Sequence, residues 1–117
     1  MSKILIVEDD QQMARLLQTL LSLEGYDALA TPRPETVLSL VRQTQPNVVV
    51  MDLHLGQVNT LDILRELKKD PELQSTPVII VSGLDAEEDC QRAGADMFML
   101  KPYSPNRLLE IIKQLVH

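Results

Sequence analysis

The chain has no tryptophan, one phenylalanine and two tyrosines, so aromatic residues make up only 3% of its 117 positions. That scarcity argues against an aromatic platform for stacking nucleic-acid bases. A single cysteine, Cys90, excludes an internal disulfide and makes a reducing compartment the natural setting. The two histidines, His54 and His117, are isolated, so no Cys/His cluster is available for zinc. Positive charge is also short. Eleven Lys and Arg against 17 Asp and Glu give a formal net charge of −6, which disfavours the phosphate neutralisation behind non-specific nucleic-acid binding. No apolar run approaches the roughly 20 residues of a membrane span. Met1-Ser2-Lys3 leads into only four apolar residues before acids begin, unlike a secretory signal. A cytoplasmic chain is expected, with no membrane contact and no nucleic acid bound by the chain itself.

What the sequence does have is apolar content, 44% and spread along the chain, so the low-hydrophobicity signature of disorder is missing. The length fits one domain over residues 1–117, large enough to bury a core without staples. Strand-like and helix-like stretches alternate from end to end, which predicts an α/β domain with a parallel sheet. The first strand, Lys3 to Val7, is continuously apolar after Lys3, as a strand covered on both faces should be. A helix follows, with Met13, Leu16, Leu17 and Leu20 on a helical period and Gly25 as its stop. A weaker strand is expected over residues 26–30, and a helix over residues 34–44 opening on Pro34.

Pro46-Asn47 introduces the third strand, which ends at Asp52. Residues 53–58 read as a loop, and Asn59 as the N-cap of a third helix, with Asp62 three residues on; that helix stops at Asp70-Pro71. Pro77 precedes the fourth strand. Asp85 reads as the cap of a short fourth helix closed by Gly94. Ser104-Pro105 opens a last helix carrying Leu108, Ile111, Ile112 and Leu115 at helical spacing.

Four of the apolar runs end on chemistry. Ile4-Leu5-Ile6-Val7 precedes Glu8-Asp9, Val48-Val49-Val50-Met51 precedes Asp52, Val78-Ile79-Ile80-Val81 precedes Ser82, and Met97-Phe98-Met99-Leu100 precedes Lys101-Pro102. In a parallel sheet these carboxyl ends share one edge, where open α/β sheets bind ligands. Clustered carboxylates raise one another's pKa unless a cation offsets the charge. An all-oxygen donor set of Glu8, Asp9 and Asp52 favours a hard ion such as Mg²⁺. A carboxylate beside such an ion can attack phosphorus, a transfer that needs in-line positioning and further cations on the phosphoryl oxygens. Asp52, the lone acid on a central strand, is the candidate nucleophile, Lys101 the second cation and Ser82 a hydroxyl donor. Plainer readings stand beside these: Asp10 as an N-cap, Ser82 as a turn residue, Phe98 as core packing, His54 as a surface loop residue and Cys90 as a small hydrophobe.

In this order and spacing, Ile-Leu-Ile-Val-Glu8-Asp9-Asp10, Val-Val-Met-Asp52-Leu, Ile-Ile-Val-Ser82-Gly83, Gly94-Ala95-Asp96 and Lys101-Pro102-Tyr103 resemble the receiver domain of two-component response regulators, across essentially the whole chain. The resemblance implies a flavodoxin-like (βα)5 fold, doubly wound around a parallel five-stranded sheet with strand order 2-1-3-4-5. It implies a phosphorylation-dependent signalling switch, with Asp52 phosphorylated by a histidine kinase or a histidine phosphotransfer protein. Glu8, Asp9, Asp52 and the His54 backbone carbonyl would bind Mg²⁺. Ser82 and Lys101 would hold the phosphoryl oxygens, Lys101-Pro102 would be a cis peptide, and Ser82 with Phe98 would form the switch pair. Such a domain is no metabolic enzyme, since it catalyses only its own phosphorylation and dephosphorylation. A homodimer or a downstream protein would use the face of the fourth helix, fifth strand and fifth helix. The chain departs from the family pattern at Leu55-Gly56 and Asn59-Thr60, and in its short fourth helix. A degenerate receiver acting as a phosphorylation-independent scaffold is the alternative. An aspartyl-phosphate phosphatase would need an acid where His54 stands, and a flavin-binding relative would suffer repulsion between its phosphate and residues 8–10.

Overall fold

A computed structural model describes residues 2–116. Its central sheet contains β1 (Lys3–Val7), β2 (Asp27–Thr31), β3 (Val48–Asp52), β6 (Val78–Ser82) and β7 (Met97–Leu100), all parallel, in the order β2-β1-β3-β6-β7. With the five sheet strands counted by themselves this is the expected 2-1-3-4-5 arrangement. The extra numbers belong to a two-stranded hairpin, β4 (His54–Leu55) and β5 (Val58–Asn59), where a plain loop was expected. Gly56 sits at the first of its two turn positions with φ +58°, a conformation tight hairpin turns demand and glycine adopts freely.

Alternation along the strands divides the core into two layers. Leu5, Val7, Val49, Met51, Val78 and Ile80 face α2 (Val37–Thr44), α3 (Leu61–Lys69) and α4 (Glu87–Arg92). Ile4, Ile6, Val48, Val50, Ile79 and Val81 face α1 (Gln11–Leu23) and α5 (Pro105–Leu115). Helices on both faces explain why the strands read as unbroken apolar runs. In α5 the buried stripe is Leu108, Ile111 and Ile112, each contributing about 1.5–3 kcal/mol of transfer free energy.

Several local boundaries move for identifiable reasons. The buried stripe of α1 is Ala14, Leu17 and Leu21, which leaves Leu16 outside at 45% exposure. Residue Tyr26 belongs to the exit of α1, not to β2: its N–H reaches the Leu21 carbonyl while that of Gly25 (φ +89°) reaches Ser22. Pro34–Thr36 form a single 3-10 turn ahead of α2. At α3 the N-cap position is Thr60, one residue after Asn59, whose side-chain oxygen nevertheless accepts from the N–H of Leu61. Ala86, not Asp85, occupies the N-cap of the six-residue α4, and the Asp85 side chain accepts from Glu87 N–H at 3.4 Å.

The Gly94-Ala95-Asp96 motif has a structural explanation. Asp96 Oδ2 accepts from Val78 N–H and from Lys68 Nζ, both at 2.8 Å, and Lys68 also donates to the carbonyls of Gln74 and Thr76. This node ties α3 to the entrances of β6 and β7. Gly94 has φ +105°, and a methyl group there would lie 2.7 Å from Lys68 Cγ. Gly94→Ala is therefore expected to cost about 2 kcal/mol, from left-handed strain plus displacement of a pinned lysine. A lowered urea midpoint with an unchanged slope would show it; a wild-type midpoint would refute it.

Candidate functional site

The parallel register brings the four chemistry-bearing strand ends to one edge. Asp52 pairs with Val81, one residue before Ser82, and Ser82 pairs with Leu100, one residue before Lys101. Lys101 N–H closes the edge by donating to the Ser82 carbonyl at 2.7 Å. The Lys101-Pro102 peptide is cis. Carboxylate oxygens of Glu8, Asp9 and Asp52 all lie within 4.8 Å of one another. Into this cluster Lys101 Nζ reaches to 2.8 Å from Asp52 Oδ2 and 3.6 Å from Glu8 Oε1.

Glu8 and Asp9, adjacent in sequence just beyond the end of β1, have different surroundings. Glu8 is 4% exposed and accepts from Asp10 N–H, whereas Asp9 is exposed and accepts from Gly56 N–H at 3.0 Å, at the tip of the hairpin. Asp10 caps α1 by accepting from the N–H groups of Gln12 and Met13. Ser82, 1% exposed, accepts from Leu84 N–H, so its hydroxyl makes the expected turn contact while remaining at the site edge. Phe98 is half-buried and packs on the layer beneath α2, α3 and α4. His54 is exposed on β4. His117 lies outside the described residues.

Burial first, and then the hydrogen bond and charge of Asp52, push the Glu8 carboxyl up to about 7; Asp10 N–H and Lys101 pull the other way. For Lys101, burial disfavours the ammonium, but the hydrogen bond to Asp52 and the charges of Asp52 and Glu8 outweigh it and raise the pKa. Tyr103 is raised by burial, Lys101 opposing and Glu8 and Asp52 reinforcing. Cys90, the fully buried residue of α4, is raised chiefly by burial, which keeps its thiol protonated and unreactive.

The site thus gathers more carboxylate than one ammonium neutralises. Hard oxygen donors held this close fit a divalent cation of the Mg²⁺ class. The raised Glu8 pKa has a testable consequence in chelator-containing buffer. The folded state holds this proton more tightly than the unfolded chain, so the stabilisation is complete below pH 4.5 and is lost as pH rises through about 7. Glu8→Gln should flatten that part of the stability–pH curve, measured by urea unfolding across the window. An undiminished slope would contradict it.

Two residues that matter here carried no clear signal in the sequence. Gly56 sits in a Gly-Gln pair between Leu55 and Val58, a two-residue hairpin signature, but strands of two residues show no alternation to read. Thr60 is fully buried, and its hydroxyl lies 2.8 Å from the Asp52 carbonyl and 3.1 Å from that of Leu53.

Comparison with known proteins agrees with this geometry. The family model described as "Response regulator receiver domain" matches residues 4–113. Polar-differentiation response regulator DivK of Brucella anthropi is 33% identical over 113 residues, covering 94% of this chain and 92% of that protein. Probable transcriptional regulator ycf27 of Porphyridium aerugineum is 33% identical over 109 residues; the match covers 91% of this chain but only 44% of that longer protein. The solved receiver domain of a Francisella response regulator superposes with a TM-score of 0.89 at 26% identity, covering 98% of this chain and 96% of that one.

Proposed function

Because this chain belongs to the response regulator receiver domain family, and so has a role in two-component signalling, we propose that Asp52 is its phosphoacceptor. The observation that carries the proposal is the 2.8 Å contact between Lys101 Nζ and Asp52 Oδ2, beside Glu8 and Asp9 at the carboxyl edge of the sheet. A histidine kinase or a histidine phosphotransfer protein would donate the phosphoryl group. An Asp52 carboxylate oxygen attacks phosphorus, the P–N bond to the donor imidazole breaks with its electron pair going to nitrogen, and an acyl phosphate remains on Asp52. Glu8, Asp9, Asp52 and the His54 backbone carbonyl would hold Mg²⁺, whose charge would offset that of the phosphoryl oxygens. Lys101 supplies the protein's own positive charge to the same oxygens, and Ser82 supplies a hydroxyl once it leaves Leu84 N–H.

Ser82 moving toward the phosphate and Phe98 following it inward would constitute the switch, biasing an existing equilibrium between two conformations. The half-buried packing of Phe98 supports this reading, since part of the ring is still exposed and would gain burial by turning inward. A second copy or a downstream protein would dock on the face of α4, β7 and α5, where Leu100 of β7 is 49% exposed. Domain 1–117 would act as a signalling element in the cytoplasm, not as a metabolic enzyme. Among the described residues no helix is long and apolar enough to cross a membrane.

The test is intact-mass measurement after incubation with a small phosphodonor. A gain of one phosphoryl group that requires Mg²⁺ and disappears with chelator supports the proposal. Unmodified protein, beside a related receiver that labels under the same conditions, would favour the phosphorylation-independent scaffold.

A further inference from the structure

We propose that Thr60 is a positioning residue for Asp52, an inference that rests on Asp52 being the phosphoacceptor. The ladder between β1 and β3 ends with Val7 opposite Met51, one residue short of Asp52. Beyond that point the Asp52 carbonyl is met by the Thr60 hydroxyl at 2.8 Å, and the same oxygen of Thr60 lies 3.1 Å from the Leu53 carbonyl. Thr60 N–H also donates to Leu53 at 2.8 Å. On the opposite side Leu53 N–H donates to Val81 at 2.8 Å. The backbone immediately after Asp52 is thus clamped between β6 and a fully buried side chain.

Thr60 stands at the N-cap of α3, where a threonine hydroxyl ordinarily accepts from the first-turn N–H groups. Here it makes no such bond and turns back to the phosphoacceptor strand. Its own carbonyl accepts from Leu64 N–H at 3.0 Å and starts the helix. The hydroxyl therefore couples the start of α3 to the backbone of Asp52 and, through Leu53, to His54. Those are the atoms whose placement sets the attack geometry and the backbone carbonyl offered to a cation. Supporting groups of this kind act through the residues they orient and commonly change rate or metal affinity by about 10- to 100-fold.

Thr60→Val keeps the branched shape and removes the donor, Thr60→Ser keeps the donor, and Thr60→Ala removes it with less steric demand. Each is assayed well below its melting temperature, for the rate of phosphoryl uptake at saturating Mg²⁺ and, separately, for Mg²⁺ affinity by NMR titration. Valine and alanine should slow uptake about tenfold and weaken Mg²⁺ binding, with serine within about twofold of wild type. A folded valine or alanine variant with wild-type rate and affinity overturns the inference, even if its melting temperature falls. The wild-type protein gives a check that needs no variant: the Thr60 hydroxyl proton should be protected from exchange and visible by NMR, and rapid exchange overturns the inference. Wild-type protein that takes up no phosphoryl group, or takes it up at a residue other than Asp52, would instead overturn the reading on which this rests.

Discussion

Asp52→Asn is expected to lower Mg²⁺-dependent phosphoryl uptake by at least about 10³-fold, the scale on which removal of a nucleophile usually falls. The amide nitrogen and oxygen match the carboxylate in size, so the fold around this 6%-exposed side chain should survive. What disappears is the negative oxygen that attacks phosphorus, together with the ion pair to Lys101. The same substitution removes the Asp52 charge that helps to raise Glu8, so the Glu8 pKa should fall from about 7, while burial, its largest cause, still holds it above the ordinary 4.5. Intact mass measures the first effect, and a carboxyl-carbon NMR titration of Glu8 the second. Persistent labelling of the variant would remove Asp52 from its assigned role. Lost labelling with an unmoved Glu8 would show that the two carboxylates do not share one site.

The second large effect is expected from Lys101→Ala. Its ammonium is the one protein cation that reaches both Asp52 and Glu8 among the described residues, at 2.8 and 3.6 Å. Its removal takes away charge stabilisation where phosphoryl oxygens would carry it, which should slow uptake on the order of 10- to 100-fold. Mg²⁺ affinity should hold or rise, because the variant no longer places a competing cation among the carboxylates. That opposite response separates loss of a phosphate ligand from general collapse of the site, which would weaken both. Labelling at the wild-type rate would leave Lys101 as a structural counter-ion only.

How much of this was readable in advance depended on the range of the interactions involved. The strand runs were legible because burial on both faces requires apolar residues at every position, a signal contained within a few consecutive residues. The exits at Asp52, Ser82 and Lys101 followed, since each marks where an apolar run stops. The stripe of α5 was also legible from helical spacing. That of α1 was not: Met13, Leu16, Leu17 and Leu20 define an apolar arc broader than the contact, and only packing against β1 and β2 selects Ala14, Leu17 and Leu21. The N-cap position of α3 lies one residue on, at Thr60, whose hydroxyl is drawn to the Asp52 and Leu53 carbonyls, while Asn59 still accepts from Leu61 N–H.

By itself, then, the sequence determined an alternating α/β chain, the parallel strands and the residue types at their ends, because those depend on local pattern and solvent exclusion. Tertiary structure alone decided how those ends divide the work. It buried Glu8 and left Asp9 exposed against Gly56, brought Lys101 to Asp52 across 49 positions of chain, and turned Thr60 away from its helix toward the Asp52 backbone. Each depends on contacts between different elements of the fold, which residue spacing along one strand or helix does not encode.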